Sequence, residues 1–500
     1  MRVQFEWQAG NENDRWEIIA RIEKRAWLKR IPRWMQGTAL ALSILLVLGG
    51  YVGLRRAYNT ALQRIAFQIQ SVIDLEAQAL ARRDVDLFLA QQDKALPGWV
   101  TWQAACTRAG CLEDGGTALE SCSCASSRSF GPSYPLDLSA EVQRVALRGD
   151  TAWVEVIAGQ ELVRQARFYR QTDLGWLHTA PQVEFWKEPV ERAYEDVIVR
   201  CYQRDLAYVE PLVTHILQVR QALCATLACH PGDTLAVDFV VGTHLDSLPA
   251  YSEDGVILVS PWLSGIPVAG TWDGAYLEEV THRVAYAVTA QHLRSKIDRD
   301  LNPLQRAILA EYAALVGHEE TMQAPLLRRV VERHGMEALP ELLDRPDEMG
   351  SLSQFMAQWL DLTPSDRPVA YFETILNVER EAILAGQKDT FLLLQRDDGQ
   401  WMALQAASYD QIRSGAQAFS FSPAKVQNVT MVGDRACVTL EEQISIELEG
   451  SVPGRIHRVA FFSREDGDWR RSWHSCYPQA EPLLVPPSTM EPTPALGESR

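Results

Sequence analysis

"EAQALARRDVDLFLAQQDKALPGWVTWQ", residues 76–103, and "EREAILAGQKDTFLLLQRDDGQWMALQ", residues 379–405, decide how this chain is built. Glu76 and Glu379 each stand twelve residues before a phenylalanine, Phe88 and Phe391. Gln92 matches Gln395, and Trp99 matches Trp401 after a gap of one residue. The correspondence continues downstream. "VQRVALRGDTAWV" from Val142 parallels "VQNVTMVGDRACV" from Val426, with Gly149-Asp150 and Gly433-Asp434 at the same offset. "FYRQTDLGW" from Phe168 parallels "FFSREDGDW" from Phe461, and Trp176 falls opposite Trp469. Several separate blocks in one order mark an internal duplication.

Each copy opens on apolar residues at helical spacing: Leu75, Ala79 and Leu80 in the first, Val378, Ala382 and Ile383 in the second. Alternating segments separated by Gly-Asp turns follow, which predicts antiparallel strands. A helix laid on one face of such a sheet is an α+β plan. The opening "EAQALARRDVDLFLAQQD", with Asp84 four residues before Phe88, resembles the start of the cone-shaped fold of the nuclear-transport-factor and SnoaL-like families. That resemblance implies an enclosed pocket in each copy, and such pockets serve enzymes and binding modules alike. It also implies that a catalyst would carry an Asp-His or similar polar pair inside the cone. His178 and His474 lie near strand ends, but no acid–base pair recurs in both copies. Phe88, Trp99 and Trp176 read as core. The first module is placed at residues 65–188 and the second at 371–480.

The first copy carries extra chain, an insertion at 105–130 containing Cys106, Cys111, Cys122 and Cys124. A zinc knuckle is one reading, but C-x4-C with C-x-C matches no strong zinc spacing. Disulfides stapling a Gly/Ser-rich loop are the favoured reading. Cys224 and Cys229 are a further candidate pair. With nine cysteines in all, at least one thiol is free or intermolecular.

Residues 190–370 form a different unit. "AYEDVIVRCYQRDLAYVEPLVTHILQVRQAL" reads as helical, "TLAVDFVV" and "GVILVSPWL" as strands, and a helix is predicted from about Trp272 to Leu293. That helix holds "AYLEEVTHRVAYAV", residues 275–288, in which Glu278-Glu279-Val280-Thr281-His282 occupies the register of an H-E-x-x-H zinc motif. Glu279 and His282 are in place, and the first histidine has become Glu278. "ILAEYAALVG" then supplies Glu311 on a later helix. The ordered set resembles the gluzincin (peptidase MA-like) metallopeptidases. The resemblance implies metal ligands at Glu278, His282 and Glu311, with Glu279 as the catalytic base if the site works. Two carboxylates would neutralise a zinc dication and weaken its hold on bound water. The middle unit therefore reads as an inactive descendant of a peptidase; no cofactor is expected, and zinc enters only on the alternative reading.

The chain has 500 residues, length for about three domains. Its formal charge of −17 argues against a nucleic-acid partner. Residues 34–54, "WMQGTALALSILLVLGGYVGL", carry no charge and read as a transmembrane helix. The basic residues before it place 1–33 in the cytoplasm as a tail and the remainder outside the cell membrane, a single-pass arrangement with lipid as partner. Residues 481–500 are Pro-rich and predict a disordered tail. The whole reads as an α+β multidomain protein: a transmembrane helix, then two cone-shaped modules flanking a mainly helical, degenerate peptidase-like domain. The expected function is binding or scaffolding of a protein or peptide outside the membrane. The alternative is a membrane-tethered zinc metallopeptidase with a Glu/His/Glu site.

Overall fold

A computed structural model describes residues 33–104, 140–158, 163–229, 233–241, 252–316, 324–414, 419–446 and 454–472, apart from single positions within them. The chain is an α+β protein of several sheets. It opens with α1 (Arg33–Ala81), a 49-residue helix that contains the stretch 34–54. The expected transmembrane helix is corrected here: among the described residues no helix is long and apolar enough to cross a membrane.

The C-terminal part of α1 begins the first module. After α2 (Val85–Ala90), which Asp84 caps by accepting from Leu87 N at 2.9 Å, come β1 (Ala140–Arg148), β2 (Thr151–Ala158), β3 (Val163–Thr172) and β4 (Gly175–Thr179). They form an antiparallel meander in that order. Ile69 and Ile73 of α1 bury against Ala152, Val154, Val156, Tyr169 and Trp176. A short 3-10 turn, Val183–Trp186, leads out of the module.

The middle unit starts with a hairpin, β5 (Pro189–Tyr194) and β6 (Val197–Tyr202). Part of the segment read as helix is thus strand. The run Val197-Ile198-Val199 is β-branched throughout and suits a buried sheet position better than a helix. Helix α3 (Leu206–Leu227) crosses over to β7 (Leu235–Val240), which pairs in parallel with both β6 and β8 (Val256–Val259). The helical turn α4 (Pro261–Ser264), the two-residue strand β9 (Ile266–Pro267), and helices α5 (Gly274–Arg294), α6 (Pro303–Leu315), α7 (Pro325–His334), α8 (Ala338–Asp344) and α9 (Leu352–Leu360) complete the unit. Helix α6 starts at a reciprocal capping box, Asn302 with Gln305.

The second module comprises α10 (Pro368–Ala385), α11 (Lys388–Leu393), α12 (Gly399–Ser414), β10 (Phe419–Phe421), β11 (Lys425–Val432), β12 (Arg435–Ile446), β13 (Gly454–Glu465) and β14 (Asp468–Ser472). It repeats the first in detail. Phe372 and Leu376 take the places of Ile69 and Ile73, facing Ala436, Val438, Phe462 and Trp469. In both copies the first strand of the matched pair bulges, at Val142/Arg144 and at Val426/Asn428. In both, the backbone N–H beside that bulge donates to the opening helix, Val142 to Gln70 Oε1 and Val426 to Glu373 Oε2, each at 2.9 Å. The bulge frees an N–H from the ladder, and the helix side chain satisfies it.

The three units pack through two joints. At the first, Ala166 and Phe168 of β3 meet Phe185, Trp186, Val259, Trp262, Leu263 and Ile266 in one aromatic-rich cluster. There β9 also extends the first module's sheet by pairing with Val163 and Arg164. At the second joint, Asp468, the first residue of β14, accepts from Leu352 N (3.0 Å) and Ser353 N (2.7 Å), the first residues of α9. A carboxylate at a helix N-terminus satisfies orphan N–H groups and meets the positive end of the dipole.

We expect Asp468→Ala to destabilise the chain by about 1–3 kcal/mol in urea unfolding, because one buried and one half-buried donor lose their acceptor. An unchanged midpoint would show that the cross-unit cap contributes nothing.

Candidate functional site

The sequence-predicted metal residues sit on α5 and α6, in unlike surroundings. Glu278 is exposed. Glu279 pairs with Arg283 one turn along, Nε to Oε1 at 2.6 Å. The same guanidinium donates to the Ile257 carbonyl at 2.9 Å, tying α5 to β8. His282 is buried on α5. Glu311 has no exposed surface at all. Its Oε2 accepts from Leu326 N (2.8 Å) and Leu327 N (2.9 Å), which open α7, and its Oε1 accepts from Thr390 Oγ1 (2.7 Å) on α11.

Burial pushes the Glu311 carboxyl up from 4.5 to about 7, against the pull of those three donors. Among the described residues no group of three His, Cys, Asp or Glu side chains is placed to hold a metal ion. The set Glu278, His282 and Glu311 does not fit zinc, because Glu278 lies on the exposed side of α5 while Glu311 is buried and committed to two backbone N–H groups and a hydroxyl. Glu311 is the cap of α7 and a peg into the second module. Glu279 is the partner of an arginine.

A different constellation lies inside the first module. Glu76 from α1 and His178 from β4 are both buried, with His178 Nδ1 3.0 Å from Glu76 Oε1. Gln92 Nε2 donates to the same oxygen at 2.7 Å, and Trp99 Nε1 donates to Gln92 Oε1 at 3.1 Å. Tyr169 stacks on the imidazole with centroids 5.1 Å apart, and Trp99 meets it edge-on at 5.3 Å. The backbone fixes the ring's position: His178 N donates to Gln91 O (2.8 Å), and Asp93 N donates to His178 O (2.7 Å). With Nδ1–H directed at the carboxylate, Nε2 is left as the basic nitrogen. An imidazole so held can take up a proton at Nε2, and a neutral ligand can donate a hydrogen bond to that nitrogen.

The second module keeps the frame and changes the key group. Gln395 Nε2 donates to Glu379 Oε1 at 2.8 Å. Arg471 N donates to Leu394 O (2.7 Å), and Arg396 N donates to Arg471 O (2.9 Å). Arg471 therefore stands where His178 stands, with its Nε 3.3 Å from Glu379, and Phe462 replaces Tyr169. Burial, with Arg458 and Arg471 nearby, holds the Arg380 guanidinium down to about 10.

No acid–base pair recurs in both copies because the second holds Arg471 where the first holds His178. The signal was present: His178 follows Trp176 by two residues, as Arg471 follows Trp469, while Glu76 and Gln92 recur as Glu379 and Gln395. Phe88, Trp99 and Trp176 are buried. Cys224 and Cys229 are at disulfide distance, with Cα atoms 4.8 Å apart. Cys201 is a buried free thiol. Cys106, Cys111, Cys122, Cys124 and His474 lie outside the described residues, as do the two terminal tails.

No protein-family model matches the sequence, and no curated protein matches it. Among solved structures, a calcium/calmodulin-dependent protein kinase type II association domain from Thiobacillus denitrificans aligns with 20% of this chain and 87% of its own length, at 17% identity and a TM-score of 0.18. A likeness at that score carries no argument.

Glu311 yields a signed pH prediction. Its folded-state pKa is raised, so its contribution is fully present below about 4.5 and is lost as pH rises through about 7. Glu311→Gln does not ionise. Between about pH 5 and about pH 8 the wild type should therefore lose stability relative to the variant, by at most roughly 3 kcal/mol. Paired urea titrations at the two pH values check this; a constant difference would show that Glu311 titrates normally.

Proposed function

We propose that the chain is a binding or scaffolding protein for a protein or peptide partner, and that its middle unit does not hydrolyse peptides. The observation that carries this reading is the engagement of Glu311, whose two oxygens receive Leu326 N, Leu327 N and Thr390 Oγ1. A metal ligand at that position would have to give up a helix cap and the peg into the second module together. The ion pair of Glu279 with Arg283 supports the same reading, since a general base must be able to reach water. The two modules share a frame yet present an imidazole in one and a guanidinium in the other, which supports two non-equivalent binding compartments. The Cys224–Cys229 bond supports an oxidising compartment for this body. A net charge of −17 speaks against nucleic acid as the partner.

The full chain should purify without stoichiometric zinc and should leave unfolded casein intact, with Glu279→Gln indistinguishable from wild type. Chelator-sensitive cleavage that vanishes in Glu279→Gln would establish a peptidase and refute the proposal. Cleavage confined to Glu278→His would support it, by locating the lost activity in one ligand.

A further inference from the structure

Asp205 stands immediately before α3, in the middle unit, under the aromatic cluster of the first joint. Its side chain is wholly buried. Oδ1 accepts from Ser260 Oγ at 2.7 Å, and that hydroxyl in turn accepts from the Trp186 indole at 2.6 Å. Trp186 lies at the exit of the first module, and Ser260 at the end of β8. One hydroxyl thus bridges a carboxyl of the middle unit and an indole at the joint. Asp205 Oδ2 is buried without a hydrogen-bond partner.

The charged and titratable groups that face Asp205 do not neutralise it. Arg204 is its neighbour in sequence, but that guanidinium lies over the rings of Phe185 (4.0 Å) and Trp153 (4.8 Å). The Cys201 thiol of β6 and the Tyr276 hydroxyl of α5 feel the carboxyl electrostatically, and both are themselves pushed up by burial. Tyr208 on α3 packs against the same aromatic cluster, with its ring edge-on to Trp262. A charge in this setting is held by the Ser260 hydroxyl, with weaker help from the Trp186 indole and the neighbouring Arg204, and these do not offset its burial; burying a poorly compensated charge is far costlier than burying a neutral polar group.

We propose that Asp205 is a proton-operated latch between the first module and the middle unit: neutral, it is closed over by the Trp186–Ser260 bridge; ionised, it draws water and the joint opens. Burial raises its carboxyl from 3.8 to about 7, with the Ser260 hydrogen bond the largest opposing effect. The folded-state value lies above the unfolded one. The closed joint is therefore fully stabilised below about 4 and loses that stabilisation as pH rises through about 7. Opening belongs to the alkaline side.

Hydrogen exchange read by mass spectrometry on the full chain tests the latch, with wild type compared to Asp205→Asn at each pH so that intrinsic chemistry cancels. Segments 163–172 and 183–190 should exchange equally in both proteins near pH 6. Near pH 8 wild type should be faster by about tenfold, one pH unit above the midpoint. Peptides of β13 should show a ratio near one throughout. A ratio independent of pH overturns the proposal, and so does an equal rise in β13, which would mean global loosening. If Asp205→Asn does not fold, Ser260→Ala decides. It removes the bond that favours the anion and should move the opening midpoint to higher pH; a midpoint that stays or falls overturns the latch.

Discussion

Three hydrogen bonds from two different units end on the Glu311 carboxylate, and the arrangement of the middle and second units depends on them. Two come from the backbone that opens α7, the third from Thr390 of α11. A buried carboxylate without such partners would be costly, and helix N-terminal N–H groups without an acceptor would be costly too. Each deficit answers the other. The same solution recurs at Asp468, which reaches from the start of β14 to the start of α9. Together with a continuous apolar core running through both units, these caps give the second joint a polar register as well as burial. Apolar contact alone is non-directional; a carboxylate aimed at two consecutive N–H groups has one orientation.

The duplication was legible in the chain because a fold repeated in space repeats its special positions in sequence. Glu76 and Glu379 hold the same glutamine, Gly149 and Gly433 both adopt the positive φ that the hairpin turn needs, and the bulges fall at equivalent residues. Local pattern sufficed there. It did not suffice at Val197–Tyr202, where a short apolar run beside a long helix has no clear period of its own. Nor did motif spacing reveal what Glu311 does, since a buried acid facing a helix start and one facing a metal have the same local sequence. The partner of His178 is 102 residues away; only the fold brings them together.

The two copies have also diverged in what surrounds them. Trp153 and Phe168, paired across β2 and β3, lie under the aromatic cluster of the first joint. Ala166, two residues before Phe168, is 1% exposed in that cluster, whereas its counterpart Val459, two residues before Phe461, is 48% exposed. One ancestral surface has become an internal contact in one copy and stayed accessible in the other. Inside, His178 has an arginine as its counterpart. The shared Glu–Gln frame therefore sets geometry, and the group it presents sets chemistry.

The pairing of β9 with β3 has a consequence for the order of assembly. Strands β1 to β4 are complete by Thr179, but the edge that Ile266 and Pro267 occupy stays open until the chain has been made well past that point. During synthesis the nascent first module thus exposes unpaired backbone groups beside Val163 and Arg164, in the position where a foreign strand could add. A contact so distant in sequence also forms late, after the loop-closure entropy has been met. The two-residue strand is therefore the closing stitch of a sheet whose other strands were finished long before, and the interval between them is when this chain is most exposed to mispairing with a neighbour on the same message.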